Sequence, residues 1–194
     1  GALPFTSSNY QYYFTYKTRL ISLLDRCSIN SPPKNKNLDK GLTTHQQLNL
    51  IKLIKPKVES QNPIEYRNYI IVMLMLSFGL RPGEVLSLRV EDIQLGSISS
   101  IRVHRRAPDI KDKRKQRPLI KRNGRTLAIN DKSLAAELDL YITKWREMLD
   151  ERNQTNLEWD YLILNQDGAP LSLPSITQYF QILRERHANV LPTK

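Results

Sequence analysis

The sequence predicts a mainly α-helical domain with a small antiparallel β-sheet, an α+β class, on three observations. Apolar residues recur at helical spacing in several separate stretches. Between residues 98 and 129 that pattern gives way to alternation. A polar run with two prolines over residues 28–41 sets a first helix apart from everything after it. The 194 residues, 40% of them apolar, are enough to bury one sizeable core. The longest unbroken apolar stretch, Tyr69 to Leu76, falls well short of the roughly 18 residues a membrane helix needs, and no charged-then-apolar leader opens the chain. Neither a membrane span nor a secretion signal is expected. Cys27 has no partner cysteine, so neither a disulfide framework nor a cysteine zinc site can form, which points to the cytosol.

Taken in order, Tyr13, Tyr16, Leu20, Leu23 and Leu24 mark a helix from Tyr10 to Leu24. The organisation read from this is a helix from a separate domain (1–30), a linker (31–41) and a main domain (42–194). Thr44, three residues before Gln47, has capping-box spacing and opens a second helix through Leu48, Ile51, Leu53 and Ile54. Pro63 starts a third, apolar on nearly every side from Tyr69 to Leu80, as expected of a helix at the centre of a bundle, and Gly79 ends it. Pro82 fits the first turn of another helix, with Val85, Leu86 and Leu88 turned inward. Ile98, Ile101 and Val103, then Leu119, then Leu127 and Ile129 predict two or three short strands. Asn130-Asp131 caps a long amphipathic helix through Leu134, Leu138, Tyr141, Ile142, Trp145 and Leu149. Tyr161 to Leu164 reads as one more strand before an Asn-Gln-Asp-Gly turn. Ser172-Leu173-Pro174 opens a last helix with Ile176, Phe180 and Leu183 on its buried face.

The net charge of +11 is a local property. Residues 101–125 hold eleven Lys/Arg against Asp109 and Asp112, while the rest of the chain is nearly balanced. A focused positive field calls for a polyanion, and double-stranded DNA leads. Arg102, Arg105, Arg106, Lys113, Arg114, Lys115, Arg117, Arg122 and Arg125 are the candidate DNA contacts. An RNA or an anionic membrane surface is the weaker reading of the same charge, and a solvated loop without a partner is the plain one.

Arg81 in Gly79-Leu80-Arg81-Pro82-Gly83-Glu84 lies where the buried helix gives way to the next, at a helix amino terminus that favours an anion. Its guanidinium offers two parallel donors to phosphate, and Glu84, one turn on, is placed to orient it. The alternative is a surface ion pair between the two, which contributes little.

The stretch from Gly79 through Leu88, with Asp92-Ile93 after it, resembles the first arginine motif of the tyrosine recombinase (phage integrase) family. Arg102 to Arg106 and Lys121 to Ile129 look like that family's basic β-hairpin, and Leu134 to Arg146 resembles the helix that follows it. The resemblance covers roughly residues 42–187. It implies a catalytic-domain fold of that family and a parent that cleaves and rejoins DNA through a phosphotyrosine intermediate, as a homo-oligomer on DNA with a tetrameric synapse. It further implies that Arg81 is the first catalytic arginine, Glu84 its partner, and Lys121 the general acid toward the leaving 5′ oxygen. The bland reading of Lys121 is one phosphate contact among many cations. No metal or cofactor is required, because fixed cations stabilise the charge that a phosphodiester gains in transit. A cytoplasmic, nucleoid-associated protein of a bacterium, phage or mobile element is the setting implied.

The sequence also departs from the family. Its His-x-x-Arg motif matches none of His45-Gln-Gln-Leu48, His104-Arg-Arg-Ala107 and His187-Ala-Asn-Val190, and Tyr179 falls inside the last amphipathic helix, where it reads as core or surface rather than nucleophile. The expectation is therefore an amino-terminal two-thirds of the catalytic domain, inactive by itself. The alternative is a non-catalytic DNA-binding protein on a degenerate recombinase scaffold.

Overall fold

The computed structural model describes residues 42–107, 109–115, 118, 120, 124–154 and 158–188. All of them belong to one compact unit, Leu42–Lys194. The helix expected over Tyr10–Leu24 and the linker lie outside the described residues. The order is α1 (Thr44–Ile54), α2 (Pro63–Phe78), α3 (Pro82–Val85), a 3-10 turn (Val90–Asp92), β1 (Ile93–Gln94), β2 (Ser100–Val103), β3 (Arg125–Ala128), α4 (Lys132–Leu140), α5 (Glu147–Asp150) and α6 (Leu173–Arg186). A π-helical stretch, Tyr141–Arg146, joins α4 to α5 without a break.

The cap of α1 falls one residue earlier than the spacing suggested. Thr43 Oγ1 accepts the Gln46 N–H at 3.3 Å and Gln46 Oε1 accepts the Thr43 N–H at 2.9 Å, while Gln47 reaches back to the Leu42 carbonyl. Both Thr-x-x-Gln pairs satisfy the motif, so spacing alone could not choose between them. In α2, Asn62 caps the start and Pro63 occupies the first turn. Tyr69, Ile70, Ile71, Val72 and Leu74 are all buried, so the helix forms the centre of the core. Gly79 ends it at φ 61°, a left-handed conformation that glycine adopts at least cost.

The sheet is three-stranded and antiparallel in the order β1-β2-β3, with Ile101 opposite Leu127 and Val103 opposite Arg125. Ile101 and Val103 face the core and Arg102 faces out, the alternation that the sequence shows. Ile98 is not a strand residue. It is 83% exposed in the β1–β2 turn, and the first pairing comes instead from Ile93 and Gln94. Leu119 lies outside the described residues.

The long helix after Asp131 buries Leu134, Leu138, Tyr141, Trp145 and Leu149 as its periodicity predicts. Its π-helical stretch adds a residue to the turn, so Arg146 joins Trp145 on the buried side. Arg146 explains why Tyr161–Leu164 is not a strand. Its guanidinium donates to the carbonyls of Trp159 and Tyr161, Tyr141 Oη donates to the Leu162 carbonyl, and Arg67 Nη1 donates to the Leu164 carbonyl. Side chains thus satisfy acceptors that a neighbouring strand would otherwise pair, leaving only isolated bridges from Tyr161 to Arg89 and from Leu164 to Pro170. The turn that follows brings Gly168 so near the end of α5 that a Cβ there would lie 2.6 Å from the Leu149 carbonyl oxygen. Ser172 caps α6, whose Ile176 and Leu183 are buried.

Candidate active site and nucleic-acid interface

Arg81 owes its place to its neighbours. Gly79 turns the chain out of α2, Leu80 anchors the turn in the core, and Pro82 holds Arg81 extended, at φ −77° and ψ 153°. The side chain is exposed, and no described carboxylate hydrogen-bonds or ion-pairs with its guanidinium. Because α3 is a single turn of four residues, attraction for an anion rests on that guanidinium far more than on a helix dipole.

Glu84 does not orient the Arg81 guanidinium as the sequence suggested. Its carboxylate, only 3% exposed, accepts the Arg81 backbone N–H at 2.9 Å. Arg125, on β3, engages the same carboxylate through both terminal nitrogens, at 2.7 and 3.1 Å. A fork-on-carboxylate pair of this kind carries geometric specificity as well as charge. The Arg125 hydrogen bonds hold the Glu84 carboxyl below the ordinary carboxylate range, and Glu84 in turn raises the Arg125 guanidinium. The result is a clasp: one buried carboxylate fixes the backbone of the arginine turn and ties that turn to the hairpin.

The same construction recurs eight residues on. Asp92, 1% exposed, accepts the Arg89 backbone N–H at 2.8 Å and is gripped by Arg106, which follows β2, at 2.9 and 2.6 Å. Arg106 also reaches Glu91 at 2.8 Å. The repeated signal was legible as Arg81-x-x-Glu84 and Arg89-x-x-Asp92, although sequence reasoning singled out only the first.

A third cluster fixes the segment after β2. Arg114 is 7% exposed, donates to Asp112 at 2.9 and 2.8 Å and to the carbonyls of Leu86 and Leu171, and lies 4.5 Å over the Tyr161 ring. Burial pushes the Asp112 carboxyl up, but the Arg114 hydrogen bonds outweigh it and the group rests below its ordinary range. Tyr161, read from the sequence only as the start of a strand, also donates to Asp112 and is pushed up chiefly by its own burial. Charge alone made Arg106 and Arg114 candidates for phosphate, but their internal partners leave them few free donors. Arg102, Arg105, Lys113 and Lys115 are exposed, and Arg125 is partly so. Arg117, Lys121 and Arg122 lie outside the described residues.

Tyr179 packs in a small cluster with Leu50, Val72 and Leu183, and burial pushes its phenol up to about 12. That agrees with its reading as a helix-packing residue.

A sequence profile described as the phage integrase family matches residues 40–192. The chain belongs to the phage integrase family. Among solved structures, this phage integrase domain is similar to two of XerH site-specific recombinase. One is a post-cleavage complex on palindromic difH substrate, with TM-score 0.54 and 18% identity over 79% of this chain and 37% of that one. The other is a pre-cleavage complex on difH substrate, with TM-score 0.54 and 20% identity over 81% of this chain and 39% of that one. The phage integrase chain thus spans well under half the length of either structure. A search of curated proteins found no match. Among the described residues no helix is long and apolar enough to cross a membrane, and no group of His, Cys, Asp and Glu is placed to hold a metal ion.

Proposed function

We propose that this chain supplies the arginine-and-hairpin half of a DNA strand-exchange site, in a parent that cleaves and rejoins duplex DNA through a phosphotyrosine intermediate. The observation that carries the reading is the exposed Arg81, held at its backbone by a buried carboxylate that also ties down the hairpin. Arg81 binds the non-bridging oxygens of the scissile phosphate and stabilises the charge that grows on them as the phosphorus is attacked. Glu84 touches no substrate and acts as a positioning residue through the Arg81 N–H and Arg125. Lys121, four residues before Arg125 in the sequence, protonates the departing 5′ oxygen. Arg102, Arg105, Lys113 and Lys115, with Arg117 and Arg122, hold flanking phosphates, and protomers assemble on the DNA.

The test is covalent trapping of the full-length gene product on a nicked suicide duplex. The expected result is a protein–DNA adduct that Arg81→Ala and Lys121→Ala each abolish or slow by orders of magnitude. Full-length protein that binds duplex DNA but forms no adduct favours a binding protein on a recombinase scaffold.

A further inference from the structure

Between β2 and β3 the chain has only two acidic residues, Asp109 and Asp112, and both help to build one turn. Asp109 Oδ1 accepts the Lys111 N–H at 2.9 Å, its carbonyl accepts the Asp112 N–H at 3.2 Å, and its other carboxylate oxygen lies 3.5 Å from Arg89 Nη2. Asp112 is buried and gripped by Arg114. Arg89 and Arg114 both lie over the Tyr161 ring, at 5.3 and 4.5 Å. Both feet of the turn are thereby fixed to the core by carboxylates that face inward. Its crest is Ile110, 93% exposed, next to exposed Lys111 and in a segment whose other exposed side chains include Arg105, Lys113 and Lys115.

A lone isoleucine on a surface needs no explanation. What distinguishes this one is its mounting: a fixed turn with its negative charge directed inward, its positive charge outward and an apolar side chain at the summit. Cations along such a segment reach phosphates and carry no sequence information. An apolar side chain gains nothing from phosphate and finds apolar surface on duplex DNA at the bases and at the deoxyribose carbons, of which the bases alone differ from one sequence to another.

We propose that Ile110 is a base-contacting residue, carried into a groove of duplex DNA by the Asp109–Asp112 turn while the neighbouring cations hold phosphates. This rests on the DNA-binding reading given above. The contact chemistry is apolar against base, with two sources: the thymine methyl in the major groove, or a partly opened base step in the minor groove.

The experiment measures binding of the 194-residue chain to a fluorescent duplex across a salt series, for the wild type and Ile110→Ala. The expected result is a loss of roughly five- to thirty-fold in affinity, the range for an isoleucine losing most of an apolar contact, with the salt slope and thermal midpoint unchanged. On a duplex with deoxyuridine in place of thymidine, a methyl contact shows as loss of the difference between the two proteins. With 2-aminopurine in the duplex, a wedge shows as brightening by the wild type alone. Equal affinity of the two proteins overturns the proposal, as does a difference that neither modified duplex reports. Absence of salt-dependent binding by the wild type overturns the DNA-binding reading itself, so the two failures are told apart.

Discussion

Arg125 and Glu84, 41 positions apart in the chain, meet through two hydrogen bonds, and Glu84 simultaneously accepts the Arg81 N–H. Arg81 is thus held in place by a residue of the hairpin that never touches its side chain. Arg125→Lys keeps the charge but cannot form the two-pronged grip. The expected outcome is a loss of about 1–2 kcal/mol, read by denaturant unfolding, together with weaker DNA binding than charge alone accounts for. Arg125→Lys that matches the wild type in both measurements removes the clasp from the argument.

Arg81→Ala is expected to change stability by less than about 0.5 kcal/mol, because the side chain is exposed and the cap is made by the Arg81 backbone N–H. Duplex binding should weaken all the same, and the pairing of these results in melts and anisotropy separates a ligand-facing arginine from a structural one.

Arg114→Ala should do the reverse. Removing it leaves Asp112 buried without its partner, at a cost of about 3–5 kcal/mol and a fall of roughly 10 °C in thermal midpoint. Lys113→Ala with Lys115→Ala should leave the midpoint alone and lower the slope of log K against log salt by about 2. An Arg114→Ala protein as stable as the wild type would mean that the segment after β2 is not stapled to the core.

The two depressed carboxyls set an acid limit. Glu84 and Asp112 lie below their ordinary values in the folded protein, so their stabilisation is complete above the unfolded values near 4 and is lost as pH falls through the folded ones. Thermal midpoints taken from pH 7 down to pH 2 should therefore decline below about pH 5. Glu84→Gln should start lower and decline less steeply; parallel curves for the two proteins would show that this carboxylate is not what acid attacks.

The helices were legible because apolar stretches stand beside boundary signals: Pro63 and Gly79 at the two ends of α2, and the caps Asp131 and Ser172 at the starts of α4 and α6. The site was legible as far as Arg81 and Glu84, through their spacing beside a glycine and a proline. Its wiring was not. Whether Arg106 and Arg125 face a carboxylate or solvent depends on residues 14 and 41 positions away, and Arg114, whose carboxylate is only two residues off, is drawn inward by the carbonyls of Leu86 and Leu171; no local pattern encodes either. The same holds for Tyr161–Leu164, whose apolar run gives a strand signal while its acceptors are taken by Arg67, Tyr141 and Arg146.

The π-helical stretch Tyr141–Arg146 makes the length of this helix an integer constraint. A wide turn of this kind is equivalent to one residue inserted into an α-helix. Deleting a single residue there would restore ordinary winding and leave the turns beyond it in nearly their present phase, whereas one residue more in α4 would rotate everything beyond it by about 100° about the axis. With such an insertion Leu149 would leave its pocket, the Gly168 turn would lose the carbonyl it rests against, and Arg146 could no longer reach Trp159 and Tyr161. A one-residue insertion should therefore be tolerated in the β1–β2 turn around Ile98 and rejected in α4, although neither stretch touches DNA in the arrangement proposed.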